Sequence, residues 1–169
     1  MEAQHTALEP LTRDRAEALL EGSDAFTRGF GYGVADGYLE FPEALSAIVQ
    51  ALRDGMDPDW FSYLIIDPTT TTVIGLGGFT GPPTDGSVEI GYSIAPAHRG
   101  RGHATEAARR WLDIAIARGV TLVCAHTLAD ENPSTAVLRR LGFRRIAELT
   151  DPEVGAVWRW ELTADRRHP

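Results

Sequence analysis

The stretch Ile94-Ala95-Pro96-Ala97-His98-Arg99-Gly100-Arg101-Gly102-His103-Ala104-Thr105-Glu106-Ala107 constrains the chain more than any other. A strand runs into a glycine turn, and the turn opens directly onto an amphipathic helix. The amides of such a turn and of the first helical residues lack an intrahelical acceptor, and the helix dipole is positive at that end. An anion is therefore favoured there, and a pyrophosphate group suits the geometry. Gly100 and Gly102 let the backbone approach the phosphates, and the amides from Arg101 to Thr105, which include those of His103 and Ala104, are placed to donate.

What the chain lacks narrows the ligand. The glycines are too closely spaced for the dinucleotide fingerprint, which needs three along a strand, turn and helix. All sixteen basic residues are arginine. The absence of lysine removes the P-loop lysine that reaches nucleotide phosphates and the Schiff-base lysine of pyridoxal chemistry. Arg99, Gly102 and Ala104 remain as the fixed points of an Arg-x-x-Gly-x-Ala pattern. This pattern resembles the coenzyme A pyrophosphate loop of the GNAT superfamily of N-acetyltransferases.

The resemblance runs from Val88 to Glu161 in the family's order. Val88-Glu89-Ile90-Gly91-Tyr92-Ser93-Ile94 is similar to the family's fourth strand, and Asn132-Pro133-Ser134-Thr135-Ala136-Val137-Leu138-Arg139-Arg140-Leu141-Gly142-Phe143 to its second cofactor helix. The branch it most resembles is the RimJ/RimL-like one, which acetylates ribosomal-protein N-termini. The resemblance implies an α/β sandwich, with a mixed and mostly antiparallel sheet of six to seven strands splayed at the fourth and fifth.

Local signals agree with that layout. Leu8 to Leu11 suits a first strand, Thr12 can cap a helix from Arg13 to Leu20, and Pro42 to Arg53 carries an apolar helical face. Ser23 to Leu39, rich in glycine and aromatic residues without a clear period, reads as a long irregular loop. Trp60 to Ile66, Val73 to Phe79 and Ser87 to Ile94 read as an antiparallel meander. Thr105 to Arg118 follows as a helix, Thr121 to His126 as a buried strand, Ser134 to Leu141 as a short helix, and Phe143 to Leu149 with Ala156 to Leu162 as a final hairpin. At 169 residues the chain suits one domain spanning 1–169.

Composition bounds the partners. The net charge of −8 argues against nucleic acid and anionic membranes and is compatible with a cationic amine. Neither an N-terminal export signal nor an apolar run of about 18 residues is visible, so the cytoplasm is the expected compartment. The lone Cys124 reads as a small core residue, and no histidine or cysteine spacing implies a metal.

The chemistry implied by the resemblance is acetyl transfer from acetyl-CoA to a primary amine, on a small molecule or a polypeptide N-terminus, without a covalent enzyme intermediate. The strand ending at Ile94 would pair with the pantetheine, and Pro96, lacking an amide donor, suits the exit from the sheet. Arg99 and Arg101 add charge near the phosphates or are solvated surface residues. Arg139 and Arg140 either meet the ribose 3′-phosphate or line an exposed helix face. Glu89 matches the glutamate that serves several relatives as general base; the other reading is a structural carboxylate held by a neighbour. Strand alternation puts Glu89, Gly91 and Ser93 on one face, and partial desolvation there suits a base working near neutrality.

Two positions depart from the family. Leu138 stands where many relatives have the tyrosine that protonates the leaving thiolate; Ser134, matching the serine that RimL-like relatives place near the cofactor sulfur, is the substitute the resemblance implies, the other reading being a helix cap. The usual asparagine falls at Glu131, with Asn132 one residue later, bonding the pantetheine from a shifted position if at all. His126 ends the splayed strand as a satisfied histidine or a catalytic one. Trp158 and Trp160 share a sheet face as core residues, while Phe26, Phe30, Tyr32 and Trp60 are the candidates for the acceptor pocket. Relatives often form homodimers, so a homodimer is compatible with the resemblance, and the oligomeric state itself is not legible in the sequence. The alternative reading is a non-catalytic acyl-CoA-binding module, and a second is a nucleotide-binding protein using the same helix terminus.

Overall fold

A computed structural model describes residues 5–166. Eight strands form one sheet in the order β1-β3-β4-β5-β6-β8-β7, with β2 paired to β4 off this path. The strands are β1 (Ala7–Pro10), β2 (Gly33–Val34), β3 (Ser62–Asp67), β4 (Thr72–Phe79), β5 (Ser87–Ile94), β6 (Leu122–Leu128), β7 (Arg144–Asp151) and β8 (Gly155–Thr163). Five helices accompany them: α1 (Arg13–Glu21), α2 (Ser23–Phe30), α3 (Ala44–Arg53), α4 (His103–Ala117) and α5 (Pro133–Arg140). Neighbours pair antiparallel except β5 with β6 and β2 with β4, which are parallel.

Two apolar clusters lie on opposite faces of the sheet. Residues Val88, Ile90 and Ile94 of β5 turn to one face, where Ala107, Ala108, Trp111 and Leu112 of α4 cover them. Leu64, Ile66, Val73 and Leu76 of β3 and β4 turn to the other and meet α1, α2 and α3 through Leu19, Phe26, Leu45 and Val49. Each fully buried large apolar side chain contributes on the order of 1.5–3 kcal/mol. Gly77 of β4 is the gap that admits Trp111, because a Cβ there would lie 2.6 Å from the indole Cη2.

Three local expectations need correction. Ser23 to Leu39 is not one irregular loop. It contains α2, which ends at Gly31 with φ 77°, and the short strand β2, which brings the sheet to eight strands. Phe26, fully buried, and Phe30, with ring centroids 5.1 Å apart, form the i,i+4 pair that holds α2 on the core. Thr12 occupies the N-cap of α1, but its side chain makes no capping bond.

The sheet opens between β5 and β6. Their ladder joins Ser87 to Leu122, Val88 to Val123 and Glu89 to Cys124, and extends no further along β5. Leaving aside β2, these are the fourth and fifth strands in chain order, and Gly91 to Ile94 keep only their pairing to β4.

Candidate active site

Four pieces meet where the sheet splays: the end of β5, the turn into α4, the N-terminus of α5 and the segment between β2 and α3. The turn has the backbone that its sequence requires. Gly100 and Gly102 are left-handed, with φ 76° and 86°, and Gly102 is the N-cap of α4 with no side-chain cap on the helix. Glu106 is the first residue of the helix to bond back, to the carbonyl of Gly102. Among the described residues no acceptor meets the amides of Arg101 to Thr105. Bare donors at a helix N-terminus fit a diphosphate. A Cβ built on Gly100 would meet no protein atom within 4 Å, so the space beside the turn is open.

The side chains around the turn divide. Arg99 reaches back, its Nε donating to the carbonyl of Ile94 at 3.0 Å, and fixes the turn against the strand end. Arg101 is exposed and pairs with no carboxylate among the described residues. The His103 imidazole points inward, 1% exposed, with Nδ1 2.8 Å from Thr6 Oγ1 and Nε2 without a hydrogen-bond partner among the described residues. Its contribution to an anion site is thus confined to its amide, and burial pulls the imidazole below its ordinary range, keeping it neutral. Ala104 and Thr105 likewise offer backbone N–H groups in the first turn.

Glu89, on the last rung of the β5–β6 ladder, pairs with His126, two residues beyond its rung partner Cys124, Oε1 to Nδ1 at 2.8 Å, both side chains about a third exposed. A carboxylate only accepts, so with Glu89 ionised the hydrogen is on Nδ1 and Oε2 stays available. Arg159 and Glu161, the rungs opposite His126 and Cys124 on β8, bond each other at 3.1 Å. Cys124 is buried, and burial pushes its thiol up, away from reactivity.

On the other side of the opening Tyr92 spans from β5 to α5, its hydroxyl donating to the carbonyl of Ser134 at 3.2 Å. Burial holds the phenol far above its ordinary range, so it stays protonated. Strand alternation pointed Tyr92 away from Glu89, but only the docking of α5 brings it to the splay. The hydroxyl of Ser134 makes no hydrogen bond among the described residues, and Ser134 does not cap α5. Asn132 does, accepting from Thr135 N at 3.0 Å and donating to Asp130 Oδ1 at 2.7 Å, with Thr135 closing a capping box. These bonds use the Asn132 side chain locally and leave its amide oxygen committed to the helix. Arg139 is taken up by a bidentate pair with Glu131 and by the ring of Trp160 at 5.3 Å, while Arg140 is exposed. Glu131 is held below the usual carboxylate range by that arginine. Trp160 is buried, its indole donating to Thr127 Oγ1 at 2.9 Å, and Trp158 packs beside it.

A cleft of about 360 Å³ adjoins Gly91, Tyr92 and Ser93, walled by Leu39, Phe41, Ile48, Phe61, Leu76 and Phe79. Ser93 Oγ accepts the amide of Glu40 at 3.0 Å, and Gly37 is packed so closely on Pro96 that a Cβ would lie 2.9 Å from its ring. The covering segment is thereby tied to the strand that leads into the glycine turn. The aromatic residues expected in the acceptor pocket lie elsewhere. Phe26 is core, Phe30 packs on it under Arg15, Tyr32 donates to Glu9 Oε1 at 2.8 Å, and Trp60 packs on Phe79 beneath Arg118. Phe61, one residue beyond Trp60, lines the cleft together with Phe41 and Phe79. None of the described helices is long and apolar enough to cross a membrane.

A mixed sheet splayed between two parallel strands, beside a helix N-terminus with no side-chain cap, defines the class: an α/β protein with unpaired backbone donors at the opening of its sheet. The acetyltransferase (GNAT) domain model matches residues 5–144, and the chain belongs to that family. It is 32% identical over 87 residues to an uncharacterised N-acetyltransferase, YjdG, of Bacillus subtilis, covering 48% of this chain and 50% of that protein. It is 35% identical over 123 residues to a mycothiol acetyltransferase of Tsukamurella paurometabola, covering 69% of this chain and 40% of the relative. The matches therefore span half or less of these curated relatives. In fold it resembles the ribosomal-protein-S5-alanine acetyltransferase of Vibrio fischeri, with TM-score 0.68 at 16% identity, covering 100% of this chain and 98% of that one. Mycobacterium smegmatis RimJ, solved with CoA-disulfide, gives 0.66 at 21%, covering 95% and 82%.

Proposed function

We propose that the protein is an acetyl-CoA-dependent N-acetyltransferase acting on a primary amine. The uncapped N-terminus of α4 beside the open β5–β6 edge carries this reading, because it offers a run of unpaired donors next to an unpaired strand. Residues 101–105 would hold the diphosphate through main-chain amides, and the free edge of β5 up to Ile94 would pair with the pantetheine. The bound coenzyme supplies an activated acyl thioester.

The chain's own groups have distinct tasks. Glu89, with Oε2 free and Oε1 bonded to His126, takes the proton from the attacking amine, and the histidine spreads the charge. The Ser134 hydroxyl stabilises the departing thiolate by hydrogen bonding, in place of the hydroxyl that Leu138 lacks, while Tyr92, its single hydrogen given to the Ser134 carbonyl, holds α5 against β5. The cytoplasm is the compartment this reading implies, and the acceptor is a small amine or a polypeptide N-terminus.

Free-thiol release with acetyl-CoA and a panel of amines tests the reading. Glu89→Gln should lower turnover by at least about a hundredfold and leave coenzyme affinity as in the parent. Equal turnover in both proteins removes Glu89 from the chemistry, and release from no amine in a broad panel favours an acyl-CoA-binding module.

A further inference from the structure

The net charge of −8 invites a polycationic acceptor, but the cleft that adjoins the splay has a different character. Its walls are apolar: Leu39, Phe41, Ile48, Phe61, Leu76 and Phe79. Glu40 is the only carboxylate among its lining residues. A polyamine inserted there would have one carboxylate for several ammonium groups, and charges left without partners against apolar walls are strongly disfavoured.

Gly91, which lines the cleft, is on the same face of β5 as Glu89 and two residues from it. A Cβ on Gly91 would meet nothing within 4 Å, so the missing side chain leaves room that opens beside the base. A group lying in this cleft is therefore adjacent to the carboxylate that would deprotonate its amine. The volume, about 360 Å³, is at the small end of ligand sites and suits one compact side group.

We infer that the acceptor is a primary amine carried next to a bulky apolar group, aromatic or branched, which this cleft holds while Glu89 takes the proton. The inference rests on the acetyltransferase reading and specifies its substrate class. Such an amine belongs either to a small aralkylamine or to a polypeptide whose first residue is apolar.

Four amines separate the possibilities: 2-phenylethylamine, the tripeptide Phe-Gly-Gly, the tripeptide Ser-Gly-Gly and spermidine. With the parent protein, kcat/KM for 2-phenylethylamine or Phe-Gly-Gly should exceed that for spermidine and for Ser-Gly-Gly by at least about tenfold. Preference between the first two identifies the source. In thermal unfolding without any acyl donor, the preferred apolar amine should raise the midpoint and spermidine should not. Phe41→Ala removes the exposed rim of the cleft and should narrow that preference through KM with the unfolding midpoint little changed. Preference for spermidine or Ser-Gly-Gly, or an equal loss on all four amines in Phe41→Ala, overturns the acceptor assignment and leaves acetyl transfer standing. Stabilisation by the apolar amine without thiol release from any of the four supports the cleft's chemistry and overturns the acetyltransferase reading instead.

Discussion

His103 shows how one residue serves two faces of the site. Its amide belongs to the anion-binding turn, whereas its imidazole is buried against Thr6. Burial is the main cause that lowers its affinity for a proton, opposed by Asp67 and Glu106 and reinforced by His98 and Arg101. As pH falls below about 6.5, the ordinary value, the unfolded chain takes up a proton that the folded one refuses, so stability is lost on the acid side. Thermal unfolding midpoints should therefore decline between pH 6.5 and 5, and His103→Gln should flatten that decline; an unchanged acid limb in the variant would clear His103 of the effect. At this scale the sequence was partly legible. Glu89 could be placed on its face by alternation alone, but its partner His126 is 37 residues away and is brought near only by the register of β5 on β6. Tyr92 was hidden for the same reason: its hydroxyl meets α5, 42 residues on.

The turn into α4 was legible as an element because glycine spacing and helical period are local properties. Its function depends on backbone shape, which Gly100 and Gly102 make possible at φ 76° and 86°. For Gly100→Ala no protein atom obstructs the new Cβ, so the folding cost is the left-handed strain alone, about 1 kcal/mol. That amounts to a fall of roughly 2–4 °C in the unfolding midpoint. Coenzyme A affinity measured by calorimetry should fall by more than the tenfold that 1.4 kcal/mol represents, since the methyl group enters the space beside the turn. A loss of affinity no greater than the loss of stability would mean that this space is not part of the site. The helix α2 was missed because Gly29 and the flanking Gly22 and Gly31 resemble loop punctuation, and the only helical signal, Phe26 with Phe30, spans a single turn. Of the expected acceptor aromatics, Phe26 and Phe30 belong to this helix and pack on the core, while Tyr32 is tied to Glu9 and Trp60 to Phe79.

Over the whole molecule, one topological event makes the site. The chain leaves β5, crosses through α4 and returns as β6 parallel to it, and the two strands stay paired for only three rungs. The fold class and the order of the C-terminal half could be read because strand, turn and helix signals are strong there. The cleft could not, because its walls come from the segment before α3, from Ile48 of α3, from Phe61 and from β4 and β5, which are distant in sequence. The proposed acetyl transfer depends on the amides at 101–105 facing a coenzyme diphosphate. Titration of coenzyme A into nitrogen-15-labelled protein, with backbone amide shifts followed by NMR, examines this directly. The largest saturable shifts should fall at Gly100 to Thr105 and along β5 from Gly91 to Ile94, and ATP should not reproduce those on β5. Saturation with these amides unmoved, or the same pattern along β5 from ATP, would contradict the account.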